Sequence, residues 1–128
     1  MSQDVILDFA EDSMQNPYVV RNGFFVKTEK RWEKVVYDEI LWIRAFENGC
    51  IIYLTDERNL MVNHRLWRIE EMLTEHPNLV RINRSEIVNL DVIDSFEGNC
   101  YYIGKEALYT TDTYRHCMED AFTRAKQH

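Results

Sequence analysis

The chain contains few of the residues that build catalytic and phosphate-binding loops. Its 128 residues include only two prolines and four glycines, which are scattered one per turn at Gly23, Gly49, Gly98 and Gly104. No glycine-rich loop is therefore available to cradle a phosphate. Nucleophilic catalysis needs a hydroxyl or thiol beside a base, but no GxSxG sequence is present and Ser85 has no histidine near it in the sequence. We expect that the protein is not an enzyme.

Cysteine and histidine are too sparse and too widely spaced for a disulfide framework or a metal centre. The three cysteines, Cys50, Cys100 and Cys117, are odd in number and include no CxxC pair. The four histidines offer no pair at the i, i+4 spacing by which a helix binds a metal. The sequence predicts free thiols, no metal and no cofactor.

Long apolar runs are absent as well. No window approaches the roughly 18 apolar residues that a membrane span needs. The first residues, MSQDVILDFAEDS, carry acids where a signal peptide would carry positive charge. We expect a cytoplasmic protein without a membrane span.

Positive charge is in deficit, because 15 Lys and Arg face 22 Asp and Glu, for a formal net charge of −7. Residues 1–22 hold four of these acids and one base, Arg21, and we interpret them as an acidic, partly disordered lead-in. Residues 23–128 then form one domain, a length that suits a single core. Since phosphate contacts need clustered Lys and Arg, nucleic-acid binding requires that the charges segregate on the surface.

The remaining pattern is one of short strands separated by turns. Alternating or continuous apolar residues predict strands at FFVKT (24–28), RWEKVVY (31–37), ILWIRAF (40–46), CIIYLT (50–55), NLMV (59–62) and LVRINRSEIVNL (79–90). The Glu47-Asn48-Gly49 segment predicts a hairpin turn. A further hairpin is expected in residues 94–110, with turns at 97–99 and near Gly104-Lys105.

Two segments have helical rather than strand periodicity. Asn63 is a plausible N-cap for a short helix that ends before Pro77. A terminal helix carries an apolar stripe that should dock on the sheets or on a second subunit: Tyr114, Cys117, Met118, Ala121, Phe122 and Ala125. The predicted fold class is mostly β (α+β), with a short mid-chain helix and a C-terminal helix.

The stretch RINRSEIVNL (81–90) concentrates polar side chains that suit nucleic acid, namely Arg81, Asn83, Arg84 and Ser85. Guanidinium groups bind guanine bidentately and asparagine binds adenine, and both also reach phosphates. The alternative to nucleic-acid binding is a solvent-exposed surface on which the arginines form ion pairs with Glu86 and Asp91.

RINRSEIVNLDVI also resembles the signature of the LytTR family, in which an Arg-x-His-Arg-Ser run leads into an Ile-Val-Asn strand. The similarity extends over about residues 24–124, through the FFVK strand, the DEILWIRA segment, the NHRLWRIEEML helix, the hairpin and the last helix. The resemblance implies a bacterial DNA-binding transcription regulator domain, response regulator-like, with antiparallel strands in small stacked sheets. In such domains loops, rather than a recognition helix, enter successive major grooves.

By this resemblance the DNA contacts fall in three segments: residues 48–50, residues 83–85 and residues 110–115. Asn89 corresponds to an asparagine that we expect to bond the backbone. The sequence departs from the family pattern at Asn83 in place of His, at Arg44 in place of Glu, and at Asp112 in place of Arg. With Lys105 on the hairpin turn, the predicted DNA-binding set is Asn48, Asn83, Arg84, Ser85, Arg115, Arg44 and Lys105.

Two functions remain open at this point. The first is a sequence-specific regulator that binds double-stranded promoter DNA, as a homodimer on two half-sites, with the acidic lead-in available to a regulatory protein. The second is a protein-interaction module on the same fold that has lost DNA binding, with Asp112 and Glu86 beside Arg84. A contiguous positive face around Arg44, Arg84 and Arg115 would argue against the second.

Overall fold

A computed structural model describes residues 18–126. In this part of the chain the strands are β1 (Val19–Val20), β2 (Gly23–Lys27), β3 (Trp32–Val36), β4 (Ile40–Phe46), β5 (Gly49–Leu54), β6 (Arg58–Val62), β7 (Leu79–Asn83), β8 (Glu86–Asn89), β9 (Ser95–Glu97), β10 (Cys100–Ile103) and β11 (Glu106–Tyr109). The helices are α1 (Leu66–Met72) and α2 (Asp112–Lys126), and short 3-10 turns lie at Tyr37–Glu39 and Leu90–Val92.

The strands form three antiparallel sheets. The first has the order β1-β2-β3, the central one β6-β5-β4-β8-β7, and the third β11-β10-β9. The mostly β fold with stacked sheets, a short mid-chain helix and a C-terminal helix is therefore confirmed.

The central sheet separates two hydrophobic cores, because side chains alternate between the faces of a strand. On β4 and β8, Ile43 and Ile87 belong to the core shared with the first sheet and α1, whereas Trp42 and Val88 belong to the core shared with the third sheet and α2. The β4–β5 register shifts just after Ile40, so that Ile40 faces the same core as Ile43. Such a bulge moves one residue out of strict alternation.

The terminal helix packs on its own sheet. Met118 and Ala121 are almost fully buried in the second core, where they meet Ile82 of β7 and Leu108 of β11. The apolar stripe therefore docks on the sheet, which is one of its two predicted partners. Phe122, at the margin, stays 37% exposed.

The mid-chain helix begins later than predicted. Its N-cap is Arg65 rather than Asn63, since Asn63 and His64 are bonded to the first sheet. The Asn63 N–H donates to the carbonyl oxygen of Lys27 at 2.8 Å, and the buried His64 ring accepts from the Lys27 N–H at 3.0 Å. The helix ends at Met72, ahead of Pro77 as predicted.

The stretch 79–90, predicted as one extended run, is divided into β7 and β8 by a tight turn at Arg84 and Ser85. In the β4–β5 hairpin the positive φ falls on Glu47 and not on Gly49. Gly49 is needed for another reason, because a Cβ there would overlap the carbonyl oxygen of Val62 on β6. The turns predicted at 97–99 and at Gly104-Lys105 are present.

Strand β1 lies inside the segment interpreted as a lead-in. It pairs with β2, and the Tyr18 ring beside it stacks on Trp32 with centroids 4.5 Å apart. The disorder expected for the rest of the lead-in concerns residues 1–17, outside the described residues. Within residues 18–126 there is no helix of the length and apolarity that crossing a membrane takes.

Candidate nucleic-acid interface

The β7–β8 turn presents Arg84 and Ser85 to solvent and is built by side chains rather than by glycine or proline. Asn83 Oδ1 accepts from the Ser85 N–H at 2.8 Å. From behind, Arg81 donates to the carbonyl oxygen of Asn83 at 2.9 Å and to that of Arg84 at 2.6 Å. The Ser85 carbonyl accepts from the Ala45 N–H of β4 at 2.8 Å. The turn is thus fixed from several directions while its tip stays free.

The Asn83 side chain, predicted to bind DNA, is engaged within the protein. Its Nδ2 donates to Glu86 Oε1 at 2.9 Å and to the carbonyl oxygen of Tyr109 at 2.6 Å. Glu86 is the register partner of Arg44 on the neighbouring strand, and it also accepts from the Arg44 guanidinium at 2.9 Å. One network therefore runs from β4 through Glu86 and Asn83 to the end of β11, and it holds the base of the turn.

The first predicted contact segment lies beside this turn. A groove of about 360 Å³ has Glu47 and Gly49, the neighbours of Asn48, on one side and Arg84 on the other. Asn48 is exposed, and its Oδ1 accepts from the Arg65 guanidinium at 3.4 Å. Cys50, the last residue of the predicted segment, is 0% exposed and has its pKa raised to about 12 by burial, so its side chain belongs to the core.

The third predicted segment also reaches the turn. The Thr110 hydroxyl and the Thr111 N–H both donate to the carbonyl oxygen of Ile82 on β7, at 2.9 and 3.3 Å. This junction places the first turn of α2 next to Arg84. There, Arg115 donates to Asp112 Oδ1 at 2.8 Å, and the Asp112 side chain is 94% exposed. A carboxylate in the first turn of a helix also meets the positive end of the helix dipole.

Lys105 is not brought to this face. It lies in the β10–β11 turn, at the opposite end of the hairpin from Tyr109, whose carbonyl bonds Asn83. That turn is fastened elsewhere, by the Gly104 N–H donating to Asp94 Oδ2 at 2.6 Å. The structure therefore groups Asn48, Asn83, Arg84, Ser85, Arg44 and Arg115 and leaves Lys105 apart.

Charge on this face is partly neutralised. Arg44 pairs with Glu86, Arg81 with Glu70 and Arg115 with Asp112. Within residues 18–126, the Arg84 side chain has no hydrogen bond or ion pair.

Arg65 adds a further guanidinium at the groove, and sequence reasoning missed it. No local signal marks Arg65, because its approach to Asn48 depends on how α1 packs beside the β4–β5 turn.

These features define a class of protein, a small mostly β domain whose polar face is built from three loops around one groove. The family model for the LytTr DNA-binding domain matches residues 30–116, which contain all three segments. The chain belongs to the LytTr DNA-binding domain family, and the resemblance of RINRSEIVNLDVI is confirmed. This is a family of DNA-binding domains rather than of enzymes.

A solved structure agrees with this assignment. The domain named as the LytTr DNA-binding domain of a methyl-accepting/DNA response regulator from Bacillus cereus is similar to this chain with a TM-score of 0.67 and 16% sequence identity. The likeness covers 80% of this chain and 98% of that domain, and at this identity it concerns the fold alone. No curated protein matches this chain.

Proposed function

We propose that the protein is a sequence-specific, DNA-binding transcriptional regulator whose loops enter the major groove. The observation that carries this proposal is the exposed Arg84, an arginine without an ion pair in residues 18–126, at the tip of a turn fixed on all sides. An unpaired guanidinium in a preorganised turn is available for bidentate bonds to guanine O6 and N7 or to a phosphate. Family membership supports the same function.

The other side chains of the face differ in whether their polar groups are still available to bind DNA. Ser85 and Asn48 are exposed and can bond phosphates or base edges, and Arg65 adds charge beside Asn48. Asn83 has its amide group engaged within the protein, so we assign it to shaping the turn. Arg44 and Arg115 contribute less charge while Glu86 and Asp112 hold them.

Several broader features belong to the same proposal. We assign residues 23–128 to the DNA-binding domain and residues 1–22 to an acidic lead-in, which ends in β1 on that domain and whose acidic part a regulatory protein can contact. Two copies would bind two half-sites along one face of the duplex. A regulator of bacterial promoters works in the cytoplasm, where the chromosome lies.

The test is fluorescence anisotropy of the purified protein with DNA from its own upstream region and with a scrambled duplex, over a salt series. We expect tighter binding to the native duplex and a log–log salt slope near −0.9 for each phosphate contacted. Arg84→Ala should weaken binding to the native duplex by about tenfold or more. Arg58→Ala is the matched control, since Arg58 lies at the other end of β5 from the groove.

One observation favours the second function, a protein-interaction module. Two of the three arginines that a positive face required, Arg44 and Arg115, are paired with carboxylates. Weak binding of both duplexes at low salt, with no change in Arg84→Ala, would support that module and contradict the regulator.

A further inference from the structure

Arg81 occupies a different position from the arginines of the exposed face. Its side chain is 16% exposed and lies behind the β7–β8 turn rather than at its tip. Three of its nitrogen atoms are engaged at once. Nε donates to the Asn83 carbonyl at 2.9 Å, Nη2 to the Arg84 carbonyl at 2.6 Å, and Nη1 to Glu70 Oε1 at 2.6 Å. All three guanidinium nitrogens of Arg81 therefore donate to acceptors within the protein.

The two carbonyls that Arg81 binds flank the Arg84 residue. They set the orientation of the peptide groups on both sides of it, and hence the direction in which the Arg84 side chain leaves the turn. A guanidinium suits this task because its donors form a rigid, planar fork. A lysine has the same charge but a flexible stem and a single ammonium, so it cannot reproduce the pair of bonds.

The same side chain is connected to the other two segments of the face, to one directly and to the other through Glu70. Glu70 lies on α1, whose N-cap residue Arg65 bonds Asn48. The guanidinium carbon of Arg81 also lies 5.7 Å from the centroid of the Tyr114 ring, in the first turn of α2. Arg81 thus contacts the β7–β8 turn and the first turn of α2 directly, and it is linked to Asn48 through Glu70 and α1.

We infer that Arg81 is a positioning residue, which fixes the β7–β8 turn against α1 and α2 so that Arg84, Asn48 and Arg115 meet one duplex in a fixed register. This inference rests on the proposed function. It assigns to Arg81 no contact with DNA. Rigid placement of a binding group improves affinity because less conformational freedom is lost on binding.

The salt dependence of binding separates this role from a phosphate contact. Removing a side chain that neutralises a phosphate lowers the magnitude of the log–log slope by about 0.9, because one fewer counterion is released. Removing a positioning residue lowers the affinity and leaves the slope unchanged. Arg81→Lys retains the charge and removes the paired bonds to the turn, so it tests the positioning role, whereas Arg81→Gln removes the charge and tests for a phosphate contact.

The experiment compares wild type, Arg81→Lys, Arg81→Gln, Glu70→Gln and Arg58→Lys by anisotropy over a salt series. Arg58 is a matched control, since it also binds a glutamate, Glu39, and a backbone carbonyl, that of Thr55, far from the groove. We expect Arg81→Lys to bind the native duplex about tenfold more weakly with an unchanged slope. Glu70→Gln should show a smaller loss, and Arg58→Lys none. Urea unfolding verifies that each variant is folded, and if Arg81→Lys is not, Glu70→Gln carries the test.

A second readout uses no DNA. In wild type the Ser85 amide is bonded to Asn83 Oδ1 within the turn that Arg81 fixes. Amide exchange at Ser85 should accelerate in Arg81→Lys and not in Arg58→Lys.

Three results would overturn the inference. One is a slope reduced by about 0.9 in Arg81→Gln, which would make Arg81 a phosphate contact. The second is unchanged affinity in the folded variants, and the third is unchanged exchange at Ser85. If wild type itself shows no salt-dependent binding, the proposed function fails, and exchange at Ser85 still decides whether Arg81 holds the turn.

Discussion

Single side chains on the candidate face differ chiefly in whether a carboxylate already holds them. Arg84 has no such partner in residues 18–126, whereas Arg115 is held by Asp112 within one turn of helix. An exposed i, i+3 pair of this kind contributes only a few tenths of a kcal/mol. Asp112 therefore matters more through the charge that it adds near a phosphate backbone than through the stability that it provides.

Asp112→Asn should strengthen DNA binding about fivefold and steepen the log–log salt slope by about 0.9, because Arg115 becomes available to a phosphate. The free energy of unfolding should fall by at most about 1 kcal/mol, the usual contribution of one charge to the helix dipole. Anisotropy and urea unfolding measure the two effects.

Asp56→Asn is the control for the same charge change. Asp56 lies in the β5–β6 turn, at the end of the sheet away from the groove, and its positive φ suits asparagine. Equal gains in both variants would show a general effect of net charge, and no gain in Asp112→Asn would place Arg115 away from the duplex.

The residue roles were only partly predictable from the sequence. Exposure of Arg84 and Ser85 followed from their position ahead of an apolar strand. The buried Asn89 also matches its predicted backbone role, since it donates to the Ile40 carbonyl at 2.8 Å. The engagement of Asn83 was hidden, because its acceptor on Tyr109 lies 26 residues further along the chain.

At the scale of strands and turns, the sequence pattern predicted those elements that are determined by neighbouring residues in the chain. Residues 40–46 form β4 as predicted, and alternation assigns Trp42 and Ile43 to different cores, whereas the bulge after Ile40 was not visible in the sequence. The β7–β8 turn was missed because its sequence, Asn-Arg-Ser-Glu, contains no turn-forming glycine or proline. The Asn83 side chain, which accepts from the Ser85 N–H, and Arg81, which bonds two carbonyls of the turn, supply this instead.

Gly49→Ala should lower the free energy of unfolding by about 2 kcal/mol, the range of an overpacked core, because the new methyl group would push β6 away from β5. Urea unfolding measures the loss. Gly98→Ala is the comparison, since Gly98 has φ +60° with open space around its Cβ position. Strain there should cost about 1 kcal/mol. Equal losses, or a larger one at Gly98, would contradict close strand approach at Gly49.

For the molecule as a whole, the net charge of −7 opposes association with a polyanion. Residues 1–17 contain four acidic and no basic side chains, so their removal brings the net charge to −3. The charge that disfavours DNA binding is thus concentrated at one end of the sequence. Sequence alone identified this asymmetry, but it could not show that Arg65 and Arg84 lie at the same groove.

Deleting residues 1–17 should raise DNA affinity about threefold or more at about 0.05 M salt and have little effect near 1 M, where charges are screened. Anisotropy at both salt concentrations measures the change. A full-length variant with Asp4→Asn, Asp8→Asn, Glu11→Gln and Asp12→Asn separates charge from length. If the deletion instead weakens binding, these residues take part in the contact.

The division of the interior by the central sheet has a consequence for how the molecule unfolds. Trp42 and Ile43 are neighbours on one strand, yet each is buried in a different core. Unfolding of either core would expose the face of β4 and β8 that this core covers. The two cores therefore lose their structure together, in a single cooperative transition. The turn that carries Arg84 joins β7 and β8 of this shared sheet, so it should keep its structure until that single transition.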